Sequence, residues 1–387
     1  MRILLITGFA ILLSACAANQ PNEQGRRPGG PEYPPVSLFY KYLSEELRLE
    51  CNQFSSRSVL HHCVDNQFDL TSLKHALSRS GSFLQVALGQ KEQDYQLLAS
   101  IAVLDEETGG EIGNAALSGA TLMMLPIVME KTIRAEIVVT WKEVPIKRYD
   151  YTIPFEYSAS IFNAGSYDDS IAAHIAEKLL SDLEQENVFA GAYLMAALQA
   201  SDYENDLSVP ETIEDYLFDE KYIHNNPFFG ALLTFQHRQF AFDRAEVYIY
   251  PIRSTDWTDT ATITQGEAEN LRRDLKLMQR EGQFKEVVLD SVEPLNWKVG
   301  GKEIFGSFYS NTLTDVEGQQ VRTATYVFTK GDKFVRIRAI FPVQEGSATA
   351  ESPDKFVHTL LEEVSLPEES LFMARLRQQR RQTEIGM

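Results

Sequence analysis

The sequence predicts an α+β protein of two domains, each a mostly antiparallel sheet packed with helices, joined by a helical and acidic linker. Three observations lead there. The 387 residues are 44% apolar and 24% charged, an ordinary globular composition in a chain too long for one hydrophobic core. Period-two apolar runs recur in both halves, clearest at 133–155 and 245–250. Between them, Ala192–Ala200 is nearly all apolar and 202–220 is strongly acidic, a shift in composition that marks a boundary. The expected organisation is a signal segment at 1–15, a tether at 16–36, a domain at 37–190, a linker at 191–226, a domain at 227–366 and an arginine-rich tail at 367–387.

Met1 and Arg2 precede Ile3–Leu13, eleven mostly apolar residues. That run is too short to cross about 30 Å of hydrocarbon but suits the apolar region of a secretory signal. Leu13-Ser14-Ala15-Cys16 follows. It resembles the lipobox of bacterial lipoproteins, and the resemblance implies that Cys16 is lipidated and becomes the new N-terminus; the other reading is a plain signal peptide. Each buried methylene of an acyl chain is worth about 0.8 kcal/mol, so several chains hold a protein on a bilayer where one does not. Ala17 rather than Asp after the cysteine implies, by the same resemblance and in a Gram-negative host, the outer membrane. No other run reaches 18 apolar residues. Five prolines and three glycines between Ala17 and Val36 cannot pack a core, and read as an extended tether of up to about 60 Å.

In the first domain, Phe39, Tyr40, Leu43 and Leu47 recur at helical spacing, and predict a helix over 37–49. Asp69 followed by Leu70, Leu73, Ala76 and Leu77 predicts a second helix, stopped at Gly81. Strands are expected at 83–88, 95–104 and 121–128, with loop chemistry at 106–113. Ile133, Ala135, Ile137, Val139 and Trp141 alternate with mostly polar residues and are answered by Tyr149, Tyr151, Ile153 and Phe155 across a turn at Lys142–Pro145, the pattern of a hairpin with one buried face. Asp168 and Asp169 open a helix with Ile171, Ile175, Leu179 and Leu183 in one stripe.

If Cys16 is acylated, Cys51 and Cys63 remain in a compartment that oxidises thiols, and a disulfide is expected. A metal site with His61 and His62 is the competing reading, weakened because adjacent ligands rarely point at one ion. Free or intermolecular thiols are the third.

In the second half, Pro210 with Ile213, Tyr216 and Leu217 predicts a short helix. Asp202, Glu204 and Asp206 have the alternate spacing of a calcium loop but lack its glycine and distal glutamate, so a solvated linker is the better reading. Ala245, Val247 and Ile249 alternate with Glu246, Tyr248 and Tyr250 in a strand. Thr264-Gln265-Gly266-Glu267 has the form of a capping box for a helix that ends near Gly282. Four more strands are expected at 284–289, 303–310, 322–329 and 334–341, and a last helix after Ser352-Pro353. Arg375, Arg377, Arg380 and Arg381 are a candidate interaction patch for anionic lipid or a partner. The alternative is a solvated helix end whose dipole favours cations.

The order of elements over 73–157, with Asp94-Tyr95-Gln96-Leu97 in one strand and Pro126 closing another, resembles a recurring pattern in uncharacterised bacterial envelope lipoproteins. It implies envelope location and no catalytic residues. The strands at 245–251 and 331–342 resemble a secreted bacterial domain and likewise imply no chemistry.

The formal charge of −19 repels phosphate backbones, so nucleic acid is not expected as a partner. No serine has the Gly-x-Ser-x-Gly surround of a hydrolase elbow, and Ser118 and Ser166 lack it. His174 lacks the second histidine one turn away that a zinc protease needs. Gly300-Gly301-Lys302 and the glycines at 109–113 lack phosphate-loop spacing. His237 and His358 are lone histidines, and adjacent carboxylates such as Glu106-Glu107 or Asp168-Asp169 diverge. Neither catalytic residues, a metal nor a cofactor is therefore expected. The favoured reading is a non-enzymatic, lipid-anchored cell-envelope protein on the outer membrane of a Gram-negative bacterium, presenting two binding domains to a periplasmic partner. The alternatives are an auxiliary subunit of an envelope transport or assembly complex, and a hydrolase with its site in the interdomain cleft.

Overall fold

Alternation of buried and exposed side chains builds a sheet in each half of the chain. The computed structural model describes residues 33–57, 61–65, 68–89, 92–106, 127–159, 167–240, 243–342 and 352–385. It divides into two compact units at 186/187, and both are α+β.

The first unit holds β1 (Val36–Tyr40), α1 (Glu45–Ser55), β2 (His61–Asp65), α2 (Leu70–Arg79), β3 (Val86–Leu88), β4 (Tyr95–Glu106), β5 (Ile127–Trp141), β6 (Val144–Ala159) and α3 (Tyr167–Glu186). Its sheet runs β3-β1-β4-β5-β6, with β2 also on β4. The central β4–β5–β6 meander is antiparallel, while β1 pairs parallel with both β3 and β4. Leu97, Ala99, Ile101, Ile133, Ile137 and Val139 are buried on one face. Here the Tyr151 hydroxyl donates to Asp182 of α3 at 2.9 Å. On the other face Leu47 and Cys51 of α1 pack on Ala102 and Leu104. The buried Glu136 lies on that face too, paired with Lys41 at 3.1 Å and Arg148 at 3.2 Å. The turn at Lys142-Glu143 has both residues at positive φ, 46° and 68°, the geometry a two-residue hairpin requires.

The helix expected over 37–49 is a strand and then a helix. Val36, Ser37 and Leu38 are 0–1% exposed because β1 is hydrogen-bonded on both edges. A strand covered on both faces carries no period-two signature, so the helical spacing of Phe39, Tyr40, Leu43 and Leu47 misled. Helix α1 starts after Ser44, whose hydroxyl accepts from Leu47 N–H. The last residues of the expected tether also belong to the domain: Tyr33 is buried and pairs with Phe83. The strand expected at 121–128, apart from its last two residues, and the loop residues 107–113 lie outside the described residues.

The second unit holds α4 (Gly191–Leu198), β7 (Thr212–Ile213), β8 (Tyr216–Ile223), β9 (Ala231–His237), β10 (Arg244–Pro251), α5 (Thr260–Arg280), β11 (Glu286–Leu289), β12 (Glu293–Val299), β13 (Lys302–Thr314), β14 (Gln320–Lys330), β15 (Lys333–Pro342), α6 (Asp354–Glu363) and α7 (Leu371–Ile385). Its antiparallel sheet has the order β11-β13-β14-β15-β10-β9-β8-β7, with β12 also on β13. Ala245, Val247, Ile249, Val335, Ile337, Tyr326 and Phe328 face α6, which buries Phe356, Val357 and Leu360 against them. On the opposite face Ala268, Leu271 and Leu275 of α5 pack on Tyr309, Val327 and Phe334.

Residues 191–226 are part of this unit rather than a linker. Tyr203 and Leu207 are buried in the α6-side core, and β8 pairs with β9 along seven residue pairs. The acidic residues of 202–220 occupy turns and the outward positions of a strand, where charge is compatible with a packed inner face. The short helix expected at Pro210 is the β7–β8 hairpin instead. Asp202 caps a turn, its Oδ1 accepting from Glu204 N–H and Asn205 N–H at 3.0 Å. Helix α5 begins one turn before the expected capping box: Asp259 accepts from Thr262 N–H. Thr264 is buried and its hydroxyl donates back to the Thr260 carbonyl at 2.9 Å. The unexpected strand β12 is a largely exposed edge strand containing Pro294, with too little apolar alternation to announce itself.

Candidate functional site

The second sheet carries a polar, aromatic cluster on the face turned away from α6. Its placement follows from register. Tyr248 on β10 pairs with Leu232 of β9 and Arg336 of β15, and Leu232 pairs with Tyr222 of β8. One step along, Glu246 pairs with Arg338 and Thr234. Because Ala245, Val247, Ile249, Val335 and Ile337 fill the core, the alternate residues Glu246, Tyr248, Arg336 and Arg338 must share the other face. Gly230 lets the β8–β9 turn close beneath them. Its φ is +62°, and a Cβ there would lie 1.9 Å from the Ile249 carbonyl oxygen.

Glu246, 6% exposed, is the hub. Arg338 donates to its Oε2 through Nε at 3.0 Å and again through Nη2. The Tyr248 hydroxyl donates to the same oxygen at 2.7 Å, and Arg244 lies 3.3 Å from Oε1. Burial opposes the ionised carboxylate, but the charges of Arg338 and Arg244 outweigh it and hold Glu246 below the usual carboxylate range. Arg336 stacks on the Tyr248 ring, its Cζ 3.7 Å from the centroid, and its buried Nε has no acceptor. Beyond Tyr222, His224 is 7% exposed and its Nδ1 has no hydrogen-bond partner. Burial, and then the Arg336 charge, push the imidazole below its ordinary pKa. The Tyr222 and Phe229 rings meet His224 edge-on at 5.0 and 5.9 Å.

Beside this cluster, a cavity of about 480 Å³ opens between α5 and the β10 end, lined in part by Tyr250, Arg253, Glu267 and Asn270. The Tyr250 hydroxyl donates to Glu267 at 2.6 Å. The arrangement can hold and orient a charged group. Among the described residues no group of three metal-ligating side chains converges.

The residues singled out from sequence fare differently. Cys16 lies outside the described residues. Cys51 and Cys63 form a disulfide, which removes both thiolates from the alternative metal set. Of the four tail arginines only Arg377 is buried; Arg375, Arg380 and Arg381 are exposed and hydrogen-bond within their own unit. Arg377 is 2% exposed, donates to Asp332 Oδ2 at 3.2 and 3.3 Å and lies 4.1 Å from the Trp257 ring centre. It is therefore no part of a surface patch. Arg380 donates to the Arg253 carbonyl at 3.1 Å, Arg381 to the Thr255 carbonyl and Arg375 to Gln199. Docking of α7 onto the β10–α5 connection places Arg377, Arg380 and Arg381 on the carbonyls of Ile252, Arg253 and Thr255. His237 accepts from Gln239 N–H and Phe240 N–H, and His358 contacts the Lys298 carbonyl at 2.8 Å, so both are structural. Tyr222, His224, Arg336 and Arg338 stand in no recognisable sequence motif. The one available signal was Arg336 and Arg338 alternating with Val335, Ile337 and Ala339; what they would face was not legible.

No family model and no curated protein matches the chain. Among solved structures, the solution structure of cyanobacterial PsbP (CyanoP) from Synechocystis sp. PCC 6803 is similar over 43% of this chain and 89% of its own, at 13% identity and a TM-score of 0.27. Likeness at that level assigns no activity.

Proposed function

We propose that this is a non-enzymatic lipid-anchored protein of the cell envelope, acylated at Cys16 and holding two binding domains on the periplasmic side of a Gram-negative outer membrane. The observation that carries the reading is the Cys51–Cys63 disulfide. The chain has three cysteines, so this bond leaves Cys16 as the remaining thiol, directly after an apolar segment and two small residues. Disulfides persist in oxidising compartments and are rare in the cytosol of most organisms, which agrees with export. The charged face of the second sheet supports a binding role, because Arg338, Arg244 and Tyr248 hold Glu246 in place while Arg336 and His224 keep buried nitrogens without a partner.

Metabolic labelling with an alkyne-tagged fatty acid in a Gram-negative host tests the anchor. The label is expected on the wild-type protein in the outer-membrane fraction, and absent from Cys16→Ser. An unlabelled wild-type chain that begins at Met1 and fractionates with cytosolic proteins overturns the reading.

A further inference from the structure

We propose that Arg336 and His224 form the receiving end of a binding site for an oxyanion, the carboxylate or phosphate group of a small ligand. The inference deepens the reading of the second domain as a binding module and is independent of the lipid anchor.

The chain carries a formal charge of −19, so a small anion is repelled by the molecule as a whole and needs a built cationic recess. The sheet face supplies one. Arg244 and Arg338 flank the single carboxylate of Glu246, and Arg336 stands one step along its strand, opposite Tyr248. Arg244 and Arg338 already engage that carboxylate. Arg336 is left stacked on Tyr248 with its buried Nε offered to no acceptor. A guanidinium presents a planar fork of donors that matches two oxygens of one oxyanion, and the Tyr248 ring, 3.7 Å away, sets the plane of that fork.

His224 is the second, independent observation. Its Nδ1 is buried without a partner, in a side chain 7% exposed. An unsatisfied buried polar atom is costly, and a ligand that offers one oxygen to His224 Nδ1 and another to Arg336 removes the cost at each. Both groups belong to one face: His224 N–H donates to the Gly230 carbonyl, which places the imidazole one step past the Tyr222–Leu232–Tyr248–Arg336 row. The way in is apolar, since Tyr222 and Phe229 beside His224 are 41% and 40% exposed. An aromatic carboxylate or a phosphate fits that combination of a charged floor and a ring-lined rim.

Titration calorimetry of the full chain with inorganic phosphate and separately with benzoate, alongside nitrogen-15 spectra of the histidine rings, tests the proposal and separates the two chemistries. Saturable binding of either probe that shifts the His224 signals is expected, and Arg336→Met should weaken it by about tenfold or more, the worth of a charge-assisted pair. An Arg375→Met control should leave it unchanged. The proposal is overturned if neither probe saturates by about 10 mM, the millimolar range where even weak sites register, or if Arg336→Met binds as the wild type does. Should Arg336→Met lose its fold by circular dichroism, His224→Phe takes its place: the same weakening supports the site, and unchanged affinity overturns it.

Discussion

Arg377 of α7 and Asp332 of the β14–β15 turn, 45 residues apart in the chain, meet as a buried pair, with Arg377 Nη1 and Nη2 at 3.3 and 3.2 Å from Asp332 Oδ2. The same carboxylate takes the fully buried Lys333 at 2.6 Å, and Arg377 also reaches Glu369 and the Ile252 carbonyl. Two cations and two carboxylates thus bind the last helix to the end of the sheet.

Removing one partner of a buried pair strands the rest in a medium that solvates charge poorly. Arg377→Met should destabilise the protein by about 3 kcal/mol, near the low end for such losses because Lys333 still neutralises Asp332. Urea unfolding followed by Trp fluorescence should show the lower midpoint, and Trp257, against which Arg377 packs, should report it directly. An unchanged midpoint would show that the Arg377–Asp332 pair contributes nothing to stability.

Glu246 gives the protein an acid-sensitive component. Its folded pKa is depressed, so its contribution is complete above the unfolded carboxylate value of about 4.3 and is lost as pH falls through the lower folded value. Stability should therefore decline below about pH 4.5 on this account. Glu246→Gln should cost about 2 kcal/mol at pH 7, by leaving Arg338 and Arg244 with a neutral partner. The variant's unfolding midpoint should vary less than the wild type's between about pH 5 and pH 3. Equal acid slopes for the two proteins would refute the assignment.

The Cys51–Cys63 bond closes a loop with a sequence separation of 12. Cys51→Ser with Cys63→Ser should cost about 2–3 kcal/mol by releasing that loop in the unfolded chain. The wild type treated with reductant should lose a similar amount, while the double variant should be indifferent to reductant. Thermal unfolding with and without reductant makes the comparison.

Glu143 holds a left-handed conformation at φ 68° in the β5–β6 turn, where a side chain is strained and glycine is not. Glu143→Gly should raise stability by about 1 kcal/mol. A loss instead would mean that the Glu143 side chain makes a contact worth more than the strain.

The β5–β6 hairpin and α3 were legible because their apolar residues keep one parity or one stripe, although Glu136, Val138 and Thr140 bury the second face of β5 as well. Strand β1 was not, since neighbours on both edges and cover on both faces remove the alternation. Strand β8 hid behind its acidic outer positions. At the candidate site, Arg336 and Arg338 were visible as charges in an apolar strand, but the residues they meet come from β10, 88 to 92 positions away in the chain. His224 carried no signal, being one histidine in a polar turn.

By itself the sequence determined two α+β domains, the partners of the disulfide and the apolar run before Cys16, because local periodicity and cysteine number need no knowledge of distant contacts. Only the tertiary structure decided that residues 191–226 belong to the second domain, that Arg377 is buried, and that Arg336, Tyr248 and His224 share one face. Those outcomes depend on which strands pair and in what register, and pairing energy comes from residues far apart in the chain, where no local pattern records it.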